Sequence, residues 1–211
     1  MSDRNWTRAV RRWIESEVPL EELLPDELPA YVDSYVYLFG VLTLSAFILL
    51  VASGVVLAFA GPDWWHVSGV GHFVNSVHFW GVQAFFFFMV LHLWAQFFMA
   101  AWRDGRGANW ATGVLLFFVS IVAAFTGFLS QQNFDSQWIG LQGKDAFNAL
   151  GVGSFFNLLN FGQMYGLHVA VVPLIIALLI GVHILLVRAK GVVEPIPVDR
   201  RRRGGRDGRP A

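Results

Sequence analysis

The stretch NSVHFWGVQAFFFFMVLHLWAQFFMA, residues 75–100, contains no Asp, Glu, Lys or Arg. Because a helix needs about 20 apolar residues to cross the hydrocarbon core of a bilayer, this stretch predicts a transmembrane helix. His78 and His92 lie 14 positions apart within it. That spacing is just under four helical turns, so both imidazoles face much the same side of the helix, at heights roughly 21 Å apart. Ionisable groups inside a span are costly and usually functional.

A second apolar stretch, residues 163–188, carries His168 and His183 at a spacing of 15 positions. This is just over four turns, which again leaves both side chains close to one helix face. If the spans run in alternate directions, His78 lies opposite His168 near one membrane surface. His92 then lies opposite His183 near the other. Each pair can bind one metal from two sides, and an iron porphyrin is the obvious candidate. A single membrane histidine could equally hydrogen-bond a neighbouring helix, but four at paired heights favour ligands.

Two further apolar stretches each carry a pair of glycines at the same spacing. Gly40 and Gly54 lie 14 positions apart in the first stretch. Gly113 and Gly127 lie 14 positions apart in the third. Glycine lets a flat macrocycle or another backbone approach closely, although ordinary packing of small residues between membrane helices is the simpler alternative. The spacings predict two levels across the bilayer. We call them the outer level (Gly54, His78, Gly127 and His168) and the inner level (Gly40, His92, Gly113 and His183).

The composition indicates an all-α transmembrane fold, a four-helix bundle. The 211 residues are 55% hydrophobic and only 14% charged, whereas soluble domains carry about 25% charged residues. The expected spans are residues 35–60, 75–101, 109–130 and 163–188. Residues 131–162 should form one or two short surface helices, and Pro173 should kink the fourth span.

The two ends of the chain are polar. Tryptophans and aliphatic residues recur at helical spacing between arginines near the N-terminus, which predicts an interfacial amphipathic helix; a disordered basic tail is the alternative. With the proline-rich linker that follows, this segment covers residues 1–33. Asp33 and Ser34 are candidate caps of the first span. Residues 191–211 are expected to be a disordered basic tail.

The basic residues predict the orientation. Of the 15 Lys and Arg residues, 14 lie in the N-terminal arm, in residues 103–106 or at the C-terminal end, and only Lys144 lies on the other side of the predicted membrane. By the positive-inside rule both termini are cytoplasmic. The run of arginines at 200–203 is then a solvated topology signal in contact with a lipid surface, and we expect no nucleic-acid partner.

Here the sequence resembles the cytochrome b family of quinol–cytochrome c oxidoreductases of the bc1/b6f type, over residues 34–190. The resemblance is carried by the paired histidines and paired glycines, by Trp110-Ala111-Thr112-Gly113, by Thr126-Gly127-Phe128, and by Pro173 five residues after His168. The 15-residue histidine spacing and the four-helix length resemble the short, cytochrome b6-like type. The resemblance implies a dihaem domain over 34–190.

The resemblance implies the following cofactors and partners. Two non-covalent haem b groups would bind, one at each level, and quinol would be the substrate at the outer side. Because the chain has no cysteine, iron–sulfur ligation and thioether-attached haem are excluded. The implied partners are a separate subunit carrying the rest of cytochrome b (a subunit IV-like protein), a Rieske iron–sulfur protein and cytochrome c, in a homodimeric complex of a prokaryotic plasma membrane. Arg103, Arg106 and Arg188 are candidates to pair with haem propionates, although each is equally well a positive-inside signal.

The sequence departs from the family pattern at several positions. The cysteine that binds an additional haem in cytochrome b6 corresponds to Leu38, and the arginine expected after the first helix-2 histidine is Phe79. The segment Ser130-Gln131-Gln132-Asn133-Phe134 replaces the expected Leu-Pro-Trp motif, and no Pro-Glu-Trp-Tyr motif occurs. The alternative function is therefore a haem-b membrane anchor of another quinone-linked dehydrogenase or reductase. A membrane scaffold without haem is a third reading.

The segment after the third span carries the predicted catalytic residues. In relatives this stretch is one wall of the quinol pocket. Asn133 and Asp135 offer hydrogen-bonding groups to a quinol head group, and a carboxylate can accept a proton released on oxidation. The simpler alternative is that these side chains cap the third span and face water.

Overall fold

The structure, a computed structural model, describes residues 35–193, and every regular element in that range is helical. The predicted N-terminal interfacial helix, the caps Asp33 and Ser34 and most of the C-terminal tail lie outside the described residues. Residues 36–193 belong to one compact unit. The elements are α1 (Tyr35–Ala60), α2 (Pro62–Val67), α3 (Gly69–Phe98), α4 (Gly107–Ser130), α5 (Phe134–Ala149), α6 (Phe161–Gly166), a π-helical segment (Leu167–Val171) and α7 (Val172–Lys190).

Four helical stretches are long and apolar enough to cross a membrane, as the sequence predicted: α1, α3, α4 and the continuous stretch Phe161–Lys190. Their sides are largely exposed in the isolated chain, and Phe59 is 91% exposed. Because soluble monomers rarely expose apolar patches of this extent, these surfaces fit contact with lipid.

The second span differs from its predicted bounds. Helix α3 begins at Gly69 rather than near residue 75, because Ser68 accepts a hydrogen bond from Gly71 N and caps the helix six residues earlier. The helix ends at Phe98 rather than 101, since Ala100 adopts a positive φ of 52° that a right-handed helix does not tolerate.

A buried apolar cluster joins three of the spans midway along their length. Ala46 of α1 packs with Phe85 and Met89 of α3, and Phe117 of α4 packs against them. In sequence, Ala46 lies between the two glycines of α1, Phe85 and Met89 lie between the two histidines of α3, and Phe117 lies between the two glycines of α4. The cluster therefore lies between the outer level and the inner level along these three spans.

The fourth span contains a local change of helix type where a kink was predicted. Pro173 has no backbone N–H, and its ring collides with the carbonyl four residues earlier in a regular helix. The chain accommodates it with the π-helical segment Leu167–Val171, in which Val172 N–H donates to Leu167 O, five residues back. His168 lies inside this segment. Such π-bulges are frequent at functional sites.

Between α4 and α6 the chain forms one surface helix, α5. Gln163 orders the loop that follows α5, since its side chain accepts from Asn157 N at 2.7 Å and donates to Phe155 O at 2.9 Å. Tyr165 OH donates to Ala58 O at 3.1 Å and so joins α6 to the end of α1. These contacts position the segment that carries His168.

Candidate metal centres

The four predicted histidines come together as two pairs. At the outer level the ring centres of His78 and His168 are 6.1 Å apart, with the ring planes at 87°. At the inner level the ring centres of His92 and His183 are 6.4 Å apart, also at 87°. A metal-bound imidazole nitrogen lies about 2 Å from the metal and the ring centre roughly 1 Å behind it, so two imidazoles on opposite sides of one ion place their centres about 6 Å apart. The spacing of both pairs fits one shared metal ion.

Each histidine packs against one of the four glycines. A Cβ added at Gly54 would lie 3.1 Å from His78 Cε1, and one added at Gly127 would lie 2.4 Å from His168 Cε1. The inner level repeats this arrangement: a Cβ at Gly40 would lie 3.1 Å from His92 Cε1, and one at Gly113 would lie 3.4 Å from His183 Cε1. The sequence analysis expected these glycines at the edges of a macrocycle. In the structure they admit the imidazoles themselves, which is a more direct reason for the absence of a side chain.

At the outer level both histidines have a hydrogen-bonded Nδ1. His168 Nδ1 lies 2.9 Å from Ala123 O, and His78 Nδ1 lies 2.9 Å from Ser53 Oγ. A carbonyl only accepts, so His168 carries its proton on Nδ1 and keeps a free lone pair on Nε2. Metal-bound histidines almost always donate their second ring N–H in this way. His168 is therefore in the form that binds a metal.

At the inner level the Nδ1 atom of His92 is buried and has no hydrogen-bond partner among residues 35–193, whereas the His183 ring lies beside the backbone of Asn109. Native proteins leave few buried polar atoms unpaired, and such atoms often mark a bound group or a functional position. The two levels therefore share their histidine and glycine geometry but differ in the hydrogen bonds around the rings.

The set of donors favours a cofactor that brings its own ligands. Structural zinc sites take four protein ligands, whereas each level supplies two imidazoles. Within the part of the chain that the structure describes, no group of three or more His, Cys, Asp or Glu side chains could hold a metal ion. An iron porphyrin supplies four nitrogens in a plane and can take one protein ligand on each face. The residues present fit a haem at each level.

The predicted arginines lie at the inner end of the bundle. Arg106 Nε donates to Gly191 O at 3.1 Å, and Arg106 Nη1 lies 3.5 Å from Asp104, so this side chain ties the α3–α4 loop to the end of α7. Tyr37 OH donates to Val193 O in the same region. Arg103 is half-buried in the loop, and Arg188 is exposed in the last turn of α7.

Asn133 and Asp135 lie at the start of α5. Asn133 caps this helix, since its Oδ1 accepts from Ser136 N at 2.9 Å. Asp135 is exposed in the first turn, where a carboxylate interacts favourably with the positive end of the helix dipole. The alternative of a capping role therefore holds for Asn133, but for α5 rather than for the preceding span.

The sequence analysis did not single out Ser53 or Ala123, and it named Thr126 only within the motif Thr126-Gly127-Phe128. Thr126 is fully buried, and its hydroxyl shares its one hydrogen between Val122 O and Ala123 O, at 2.9 and 3.0 Å. Ala123 O thus accepts from both Thr126 and His168. Ser53 and Thr126 directly precede the outer-level glycines in sequence, so the paired hydroxyl-glycine steps were a detectable signal.

The fold and the site define a class: an integral membrane protein with two stacked candidate centres for a planar metal cofactor. The chain belongs to the family described as Cytochrome b(N-terminal)/b6/petB, whose family model matches residues 83–207.

Curated relatives agree with this assignment. The chain is 26% identical to a cytochrome b6 of Heliobacterium modesticaldum over 211 residues, which cover 87% of this chain and 99% of the relative. It is 26% identical to the menaquinol:cytochrome c reductase cytochrome b subunit of Bacillus subtilis over 217 residues, covering 87% of this chain and 97% of the relative.

Among solved structures, a chain of a hyperthermophilic respiratory Complex III shares the fold with a TM-score of 0.65 at 24% identity. The alignment covers 87% of the present chain and 53% of that chain, so the present chain spans about half of its length.

Proposed function

We propose that this chain is the dihaem cytochrome b subunit of a membrane quinol–cytochrome c oxidoreductase of the bc1/b6f type, carrying electrons across the membrane between two quinone sites. The proposal rests on the two histidine pairs, one at each level. Their ring centres are 6.1 Å apart at the outer level and 6.4 Å apart at the inner level, and each imidazole packs against a glycine of another helix. The names of the relatives, cytochrome b6 and menaquinol:cytochrome c reductase cytochrome b subunit, support the same function.

The chain's own residues hold and isolate the two centres. His78 and His168 would hold the outer haem, and His92 and His183 would hold the inner haem. Bound in these positions, haem b supplies one-electron redox chemistry at its iron. The glycines leave room for the imidazoles, and the apolar cluster around Phe85 and Met89 packs between the two levels.

The proposed setting is the plasma membrane of a prokaryote, with both termini cytoplasmic. The distribution of basic residues supports this orientation. The proposed partners are a subunit that supplies the Pro-Glu-Trp-Tyr motif missing from this sequence, a Rieske iron–sulfur protein and cytochrome c, within a homodimeric complex. Arg103, Arg106 and Arg188 lie on elements at the inner end of the bundle and are proposed to pair with propionates there.

The proposed quinol site at the outer side includes Asn133 and Asp135. Both lie on the segment that follows Gly127 out of α4, and the Asp135 carboxylate is exposed and free to accept a proton. Asn133 has its Oδ1 engaged in the cap, and its Nδ2 donates to Gln131 Oε1 at 3.2 Å.

A second candidate function is a haem-b membrane anchor for another quinone-linked dehydrogenase or reductase. The absence of the Leu-Pro-Trp motif after α4 favours it. The subunits that co-purify with the chain distinguish the two. A Rieske protein and a subunit with Pro-Glu-Trp-Tyr would support the first function, and a dehydrogenase without them would support the second.

The test of the proposed function is the cofactor content of the purified protein. We expect two b-type haems per chain, both extractable without breaking a covalent bond, and two components in a redox titration. One haem per chain, covalently bound haem, or no absorption in the Soret region would each contradict the proposal. The pyridine haemochrome assay measures both the number and the type.

A further inference from the structure

Ser53 of α1 makes a hydrogen bond across helices to a proposed metal ligand. The side chain is buried, with 7% of its surface exposed, and it directly precedes Gly54, against which the imidazole of His78 packs. Its Oγ lies 2.9 Å from His78 Nδ1. One helix therefore supplies, at adjacent positions, both the space for this imidazole and a polar contact to its Nδ1.

The remaining contacts of Ser53 decide which partner donates. Ser53 Oγ lies 2.8 Å from Leu49 O and 3.2 Å from Leu50 O. Carbonyl oxygens accept only, and a hydroxyl has a single hydrogen to donate. The arrangement that satisfies these groups has Ser53 donating to the backbone of its own helix and accepting from His78 Nδ1–H. His78 then keeps its lone pair on Nε2, the same tautomer that Ala123 O imposes on His168.

We propose that Ser53 is a positioning residue of the outer level: it holds the orientation and tautomer of His78 and lowers the reduction potential of the haem bound there. The inference rests on the proposed function. An acceptor at Nδ1–H raises the basicity of a ligating imidazole, and a more basic ligand stabilises the oxidised iron relative to the reduced one.

The effect of Ser53 on the reduction potential should be confined to the outer level. At the inner level Phe39 precedes Gly40, so no hydroxyl stands at the equivalent position. His92 Nδ1 has no hydrogen-bond partner among residues 35–193. At the outer level His168 bonds to a backbone carbonyl, which substitution does not remove. Among residues 35–193, Ser53 is therefore the residue whose side chain hydrogen-bonds directly to an imidazole of the outer level.

The experiment compares three variants in the full chain, expressed and purified with the subunits that accompany it. Ser53→Ala removes the side-chain acceptor and leaves the Leu50 backbone beside His78, and Ser53→Thr keeps a hydroxyl. Thr43→Ala is the matched control, because Thr43 is a hydroxyl residue of the same helix whose Oγ1 donates to Phe39 O four residues back, at 2.7 Å. The readouts are haem content, the midpoint potentials from an optical redox titration, and the low-temperature electron paramagnetic resonance spectrum of the oxidised haems.

We expect Ser53→Ala to raise the midpoint of the outer component and alter its resonance signal, while the inner component stays unchanged. Ser53→Thr should return the wild-type potential, and Thr43→Ala should leave both components in place. Repeating Ser53→Ala in the His92→Ala background identifies the outer component. Loss of the outer haem in Ser53→Ala with retention in Ser53→Thr also supports the role of the hydroxyl.

Three outcomes overturn the inference while leaving the proposed function intact: unchanged potentials and spectra in Ser53→Ala at full haem content, an equal change in Thr43→Ala, or loss of the outer haem in both Ser53 variants. A wild-type protein without haem overturns the proposed function and this inference with it.

Discussion

Each of the four histidines contacts a glycine of a different helix from its own. The α3 histidines pack against glycines of α1, and those of the fourth span pack against glycines of α4. A level is therefore built by all four spans, each contributing one residue. Because α3 carries one histidine of each pair, substituting either of its two histidines should remove a ligand from one level only.

We expect His92→Ala to remove the inner haem and leave the outer one, because only His183 would remain as a ligand at that level. The redox titration should then contain a single component. His78→Ala is the matched variant and should leave the other component. If either single variant still titrates with two components, or loses both, the assignment of ligands to levels is wrong.

The tightness of the glycine contacts predicts a difference between two otherwise similar positions on α4. A Cβ at Gly127 would lie 2.4 Å from His168 Cε1, closer than atoms of a folded protein approach, whereas a Cβ at Gly113 would lie 3.4 Å from His183 Cε1, an ordinary contact. We expect Gly127→Ala to displace His168 and lose most of the outer haem.

Gly113→Ala is the control for this prediction, since it adds the same methyl group to the same helix. We expect it to retain both haems, as measured by haem content and the redox titration. Equal haem loss in the two variants would show that the distances to the imidazoles do not determine tolerance at these positions.

The structure of the fourth span explains why its two histidines are spaced differently from those of α3. Its histidines are 15 residues apart, whereas those of α3 are 14 apart. In a regular helix, 15 residues turn about 60° past four full turns. A π-helical turn contains more residues than an α-helical turn. The segment Leu167–Val171 therefore accommodates the additional residue and brings His168 back toward the face of His183. Pro173 makes this segment favourable, because a regular helix would collide with its ring.

The start of α5 combines a structural role with a proposed catalytic one, and suitable substitutions separate the two. Asn133→Ser keeps a capping side chain, whereas Asn133→Ala removes the cap at a cost of about 1 kcal/mol. Asp135→Asn removes the carboxylate and leaves the helix start otherwise similar. If these residues belong to the quinol site, Asn133→Ser and Asp135→Asn should slow steady-state quinol oxidation at normal haem content.

Two results would argue against that role. Normal turnover in Asn133→Ser together with loss in Asn133→Ala would assign Asn133 to capping alone. Normal turnover in Asp135→Asn as well would place the quinol pocket elsewhere, most simply on a partner subunit. The haem spectrum serves as the control in each variant.

For the whole molecule, the absence of cysteine makes the orientation directly testable. Asp145 on α5 and Asp104 in the α3–α4 loop are both exposed and lie on opposite sides of the predicted membrane. We expect Asp145→Cys to react with a membrane-impermeant maleimide in intact spheroplasts, and Asp104→Cys to react only after permeabilisation. The reverse pattern would invert the positive-inside assignment and exchange the names of the two levels.

The heights of the functional residues could be predicted from the sequence alone. Each residue of a helix adds about 1.5 Å along its axis, so spacings of 14 and 15 within apolar stretches already imply two levels and pair His78 with His168 and His92 with His183. The number of spans followed for a similar reason, since the length and polarity needed to cross a bilayer are local properties. The family resemblance rested on the same spacings.

The rotation of the helices and the contacts between them required the tertiary structure. The hydrogen bonds from His78 to Ser53 and from His168 to Ala123 join residues 25 and 45 positions apart. No spacing rule within one helix predicts such a contact, because it depends on how far each helix turns about its axis when it packs. Packing likewise decided that the glycines admit imidazoles and that His92 Nδ1 has no hydrogen-bond partner among residues 35–193.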